Sequence, residues 1–258
     1  MASAPQNLPM FYNDLVPLNS NEHVDWSTKP LASADFVKNQ HAIPVTTDEF
    51  VQAGRHFPII FSAGDKPVPL ALMGMNEGVN IFVDDEGKFN APVYLPAYIR
   101  RYPFMLARLT PDADELSLCF DPSSGGVGAF EDGMKLFEGT EPSQTTKDIL
   151  GFCEQFEQAG ARTQAFVDDL MARDLLMDGE VSINQSGNEQ PFVYRGFKMI
   201  NEEKLRDMRG DELRKMNQNG MLPLIHAHLF SLQLMRDIFA GQAAAGKIPQ
   251  LGTVGQPA

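Results

Sequence analysis

Two adjacent arginines, Arg100 and Arg101, stand inside the segment YLPAYIRRYPF from Tyr94 to Phe104, among three tyrosines, a phenylalanine and two prolines. A guanidinium presents a rigid fork of donors that fits carboxylates and other anions, and it stacks on aromatic faces. Prolines narrow the backbone conformations around it. Such a segment serves either of two purposes. It can offer a binding surface, with Tyr98, Arg100, Arg101 and Tyr102 contacting a small anionic molecule, a peptide or a partner protein. It can equally pin a loop onto a core, the arginine paired with a carboxylate and packed by tyrosines. If Tyr98–Tyr102 is extended, side chains alternate, so Arg100 joins Tyr98 and Tyr102 while Arg101 joins Ile99 and turns toward the apolar interior.

The other residues with chemical potential are sparse. His226 and His228 form an H-x-H pair, a spacing that chelates metal on a strand. These two sit in a helical pattern, where positions two apart diverge by about 200°, so they cannot share one ion. His228 falls on a face with Leu224, Ser231 and Met235 and is expected to be buried, and His226 falls with Phe230 and Gln233. His23, His41 and His56 match no ligand set. No metal centre and no cofactor is expected. Cys119 and Cys153 stand among apolar neighbours and read as buried free thiols. The stretch SSGGVGAFEDG from Ser123 lacks the Gly-Lys-Ser/Thr of a phosphate loop and reads as a glycine-rich surface loop. No G-x-S-x-G elbow occurs. The acidic clusters at Asp84–Glu86 and Asp112–Glu115 look like turns, and Asp168–Asp169 like a solvated helix face.

These side chains must be positioned by a chain of 258 residues with 34 acidic and 21 basic side chains, a formal net charge of -13. That balance disfavours nucleic acid, whose binding rests on cationic neutralisation. The opening MASAPQNLPMFYND lacks a basic start and a continuous apolar stretch, which makes cytoplasmic residence the expectation. The most apolar segment, Met221 to Phe239, is broken by His226, His228, Gln233, Arg236 and Asp237, too polar for a membrane span.

Short apolar runs separated by turn residues predict strands at Pro58–Phe61, Leu70–Met75, Asn80–Val83 and Glu115–Phe120, with a turn at Asp84–Gly87. Their connections are too short for crossover helices, so an antiparallel sheet is expected. The stripe Ile149, Phe152, Phe156, Thr163, Phe166, Leu170 predicts one long helix from Thr145 to about Leu176, or two broken near Gly160, with Thr145 and Asp148 as the capping pair. A β-hairpin follows, Glu180–Asn184 and Phe192–Ile200 around the turn QSGNEQP. Asn201 or a neighbour caps EEKLRDM, Asp211 caps ELRKMNQ with Asn219-Gly220 as its stop, and Pro223 suits the first turn of a final helix reaching about Phe239.

The order of these elements carries a resemblance. MFYNDLVPLN with a following His23, then HFPIIF, LALMGMNEGVNIFVDDEGKF, YLPAYIRRYPF and GMLPLIHAHLFSLQLM together resemble the SapC family of bacterial proteins over about Met10 to Phe239. The resemblance marks Tyr94, Pro96, Ala97, Tyr98, Arg100, Arg101, Tyr102, Pro103 and Phe104 as signature positions, and Asn80, Phe82, Gly220, His228 and Ser231 more weakly. It brings no catalytic residue. The family name comes from association with a surface-layer system, a role for which this chain shows no Sec-type signal.

The expected molecule is α+β: an arm over 1–56, one core domain over 57–240 with a mostly antiparallel sheet packed by helices of the C-terminal half, and a loose tail over 241–258. Two functions remain open. One is a binding or accessory protein that engages a peptide, carboxylate ligand or partner protein through Tyr98, Arg100, Arg101 and Tyr102, with Asn80, His226 and His228 as further contacts. The other is an enzyme acting on an anionic small molecule, with arginines orienting it and a histidine such as His226 as acid or base.

Overall fold

A computed structural model describes residues 8–110, 115–184 and 191–247. The expected tail beyond Lys247, most of the acidic cluster Asp112–Glu115 and the hairpin turn at 185–190 lie outside the described residues. The fold is α+β, with antiparallel sheets and most of its helix in the C-terminal half. The chain divides into two compact units, one of residues up to Phe36 with Ala97–Gln158 and the other of Val37–Pro96 with the residues from Ala159 onward.

In the first unit, Phe104–Ala107 pairs antiparallel with Ser117–Phe120, whose other edge takes Val16–Pro17. Side chains along Phe104–Ala107 alternate between buried and half-buried, the period of two that a one-sided strand requires. Ser27–Thr28 lies between Val127–Gly128 and Met134–Lys135. The core is formed by Phe104, Leu106, Phe120, Val127, Leu136, Phe137 and Cys153. The glycine-rich stretch opens no α-helix. It is a short turn at Pro122–Ser124 capped by Asp121, with Gly125 left-handed at φ 71°, running into the strand Val127–Gly128.

The second unit holds a five-stranded sheet in the order Leu176–Ile183, Phe192–Ile200, Ile59–Ser62, Pro69–Leu72, Ala42–Pro44, antiparallel throughout. The hairpin expected from sequence forms its first two strands, with a bulge between Gly179 and Val181. Ala42, Ile60, Leu72, Met75, Ile183 and Phe197 pack with Met235, Ile238 and Phe239 of the last helix. Asn80–Val83, expected as a strand, is instead a loop with one bridge from Val83 to Phe89. The Asp84–Gly87 turn forms as expected, Asp84 Oδ1 accepting from Glu86 and Lys88 amides.

The helix Gln144–Ala172 runs unbroken through Gly160. Glycine costs a helix about 1 kcal/mol relative to alanine, and a Cβ at Gly151 or Gly160 would meet nothing within 4 Å. Its cap is Ser143, whose hydroxyl accepts from the Thr146 amide at 3.2 Å, not the expected Thr145–Asp148 pair. Asn201 caps Glu202–Arg206 as expected, whereas Asp211 sits inside the first turn of Gly210–Gln218, whose N-cap position is Arg209 with no side-chain cap. The final helix is two, Met221–Ser231 and Met235–Ala244, joined by a 3₁₀ turn. Among the described residues no helix is long and apolar enough to cross a membrane.

One glycine fixes the course of the loop after Pro69–Leu72. A Cβ on Gly74 would lie 1.9 Å from the Val79 carbonyl oxygen, a backbone atom that can retreat only with the loop. Gly74→Ala is therefore expected to lower stability by about 1–3 kcal/mol, read as a shift in denaturant midpoint.

Candidate functional site

The arginine segment begins as a short helix, Ala97–Arg100. Turn hydrogen bonds from Arg101 N to Ala97 O, Tyr102 N to Ile99 O and Phe104 N to Arg101 O then carry the chain into the strand Phe104–Ala107. Tyr102–Pro103 is a cis peptide. The extended geometry expected for Tyr98–Tyr102 is thus replaced by helix and turn. The two arginines still part company, because successive helical residues differ in direction by about 100°. Tyr98, Ile99, Arg101 and Tyr102 are buried and Arg100 is exposed, its guanidinium 5.1 Å above the Phe152 ring.

Arg101 is only 6% exposed. Its guanidinium carbon lies 4.4 Å from the ring centroids of both Tyr98 and Phe156, and 5.8 Å from that of Tyr12. A cation over ring faces is held by their quadrupoles, and the two rings themselves meet in a T-shaped contact at 6.1 Å. Its charge partner is Glu157, whose Oε1 stands 3.7 Å from Nη1 and whose side chain is 44% exposed. That distance makes an ion pair but exceeds a hydrogen bond. Among the described residues the buried Nε of Arg101 has no hydrogen-bond partner.

The rings around it are themselves fixed. The Tyr12 hydroxyl donates to Phe104 O at 2.7 Å, and burial pushes its pKa well up, the Arg101 charge acting against this. Phe36 stacks on Tyr102 at 4.4 Å, and Phe11 meets Phe36, Tyr98 and Tyr102 in T-shaped contacts. The Tyr102 hydroxyl faces the wholly buried Asp121 at 3.5 Å. Burial first, and then that carboxylate, raise the Tyr102 pKa to about 12. Asp121 in turn accepts from the Asn13 amide and from the Ser123 amide and hydroxyl. Cys153, on the same helix as Phe156, is a buried thiol that burial pushes up to about 11, and Cys119 behaves alike. Neither is poised as a nucleophile.

The remaining expected contacts lie in the second unit and do different work. Asn80 Nδ2 donates to Val37 O and Gln40 O, and its Oδ1 accepts from the Phe82 amide, which pins a loop from the inside. His228 is fully buried, Nε2 accepting from the Ile200 amide at 3.1 Å and Nδ1 donating to Ile59 O at 2.8 Å. Ser231 accepts from the Ile59 amide, so one helix face satisfies two strands. His226 points away, exposed and stacked on Phe230, which is 68% exposed. Two surface cavities, of about 480 and 710 Å³, lie around Arg162 and Phe166 and around Ile183 and Arg236, and none of the expected site residues lines them. Among the described residues no group of three or more His, Cys, Asp or Glu is placed to hold a metal.

The sequence model of the SapC family matches residues 18–238. The chain belongs to the SapC family. No curated protein and no solved structure matches it. The SapC span contains the arginine segment together with Phe156 and Glu157, and leaves out Phe11 and Tyr12. Those two rings, with Phe36 and Glu157, are what sequence reasoning missed in this SapC protein. Phe156 was visible as a member of the helical stripe, but the arm and the residue following Phe156 carried no local signal for the arginine.

Proposed function

We propose that this SapC protein is a binding or accessory protein that captures a carboxylate, borne by a small acid or a peptide, at Arg101. One observation carries the reading: a buried arginine whose Nε is without a partner and whose counter-ion stands at 3.7 Å. Withdrawing a cation from water costs several kcal/mol unless its donors are matched, and buried polar groups are nearly always satisfied. An unmatched donor on a buried guanidinium is a place that a ligand oxygen can complete. Tyr98 and Phe156 already pack against the fork, which lowers the ordering cost of capture. The enzyme reading needs a group that exchanges protons with substrate. His228 has both ring nitrogens engaged by backbone, and His226 is an exposed residue beside Phe230, so neither of these histidines favours that reading.

Calorimetric titration with N-acetylglycine, succinate and one neutral tetrapeptide carrying a free or an amidated C-terminus tests this and separates small acid from peptide. Binding of the carboxylate probes, loss of it on amidation, and at least a tenfold weakening in a folded Arg101→Met variant are expected. No binding, or equal affinity in that variant, overturns the proposal.

A further inference from the structure

Resting on that reading, we infer that Glu157 is a built-in competitor for the ligand carboxylate, a like charge already placed on the same guanidinium. Glu157 follows Phe156 on the helix Gln144–Ala172, so the residue that closes one ring face of Arg101 also delivers a carboxylate to it. The carboxylate faces Nη1, whereas the unpartnered donor is Nε. A ligand carboxylate completing the fork needs Nε together with Nη2, the nitrogen on its edge, the bidentate arrangement that makes arginine selective for planar anions, while Glu157 stays on Nη1. With Glu157 close by, that ligand meets a like charge in a partly desolvated setting, where repulsion is stronger than in water. Glu157 has somewhere to go, since its side chain is 44% exposed and is held at 3.7 Å without a hydrogen bond to Arg101. Arg101, by contrast, is buried and packed against two rings. Capture then sets a second carboxylate beside the first on one cation, and Glu157 yields toward solvent.

The experiment titrates N-acetylglycine into the parent protein, Glu157→Gln, Glu157→Asp and Glu154→Gln. Glu154 is exposed, lies three residues earlier on the same helix and has no ion pair with Arg101, so its variant controls for charge alone. Glu157→Gln is expected to tighten binding at least fivefold, Glu157→Asp to give a smaller gain because the shorter chain draws back from Nη1, and Glu154→Gln to change affinity less than twofold. If the parent binds and Glu157→Gln binds equally or more weakly, the competitor role falls and the carboxylate site stands. An equal gain in Glu154→Gln likewise overturns it, as net charge would then explain the effect. If neither parent nor Glu157→Gln binds, the carboxylate site itself falls and the inference with it.

Discussion

Replacing Arg101 by alanine is expected to lower the unfolding free energy by about 3–5 kcal/mol, and replacing it by methionine by less than about 1 kcal/mol. Alanine empties the space against Tyr98 and Phe156, two rings each 4.4 Å from the guanidinium, and cavities in an aromatic cluster are costly because the lining cannot collapse fully. Methionine has similar length, fills the gap, and its sulfur makes favourable contacts with rings. It also removes a buried cation whose Nε lacks a partner. Glu157, being 44% exposed, is readily hydrated once its partner is gone. Arg100→Ala should cost under about 1 kcal/mol, since this side chain is exposed and surface charges contribute little. Denaturant midpoints of the three variants give the comparison. If methionine costs as much as alanine, the charge itself holds the cluster together, stability alone accounts for the arginine, and the carboxylate reading loses its support.

The second large effect is a pH dependence written into His228. Burial lowers its pKa from 6.5 to about 4, and the hydrogen bond to Ile59 O opposes this only in part. The folded protein therefore resists a proton that the unfolded chain accepts. Above pH 6.5 the imidazole is neutral in both states and its pins are fully present. As pH falls from 6.5 toward about 4 the unfolded state binds more protons and stability is lost, by about 2 kcal/mol between pH 7 and pH 5 from this group. His228→Phe should remove that slope. It should also cost about 2–5 kcal/mol at pH 7, because the Ile200 amide and Ile59 carbonyl lose their partner inside the second unit. Urea denaturation at pH 7, 6 and 5 on parent and variant checks both statements, and parallel lines for the two proteins would show that His228 is not the titrating group.

The same histidine shows what local pattern conveys. Helical periodicity alone separated His228 from His226 and turned the former inward, which is what the helix Met221–Ser231 does. Periodicity does not say what an inward nitrogen meets. Its partners Ile59 and Ile200 are 169 and 28 residues away.

Elements whose stability is decided within a few residues were legible: the hairpin strands, the Asn201 cap, the Asp84–Gly87 turn and the long helix through Phe152, Phe156 and Phe166. So was the SapC family, because its motif order lies in the residues themselves. Asn80–Val83 misled because an apolar run is equally served by a strand or by a loop pinned from within by Asn80. Arg101 turned inward as anticipated, but through a helix and turn and not through strand alternation. The site around it belongs wholly to tertiary structure. Tyr12 reaches Phe104 across 92 residues, and Phe156 and Glu157 arrive on a helix more than fifty positions later. An arginine's charge is written in its codon, but its ring faces, its counter-ion and its unmatched donor exist only where the folded chain brings distant side chains within a few ångströms.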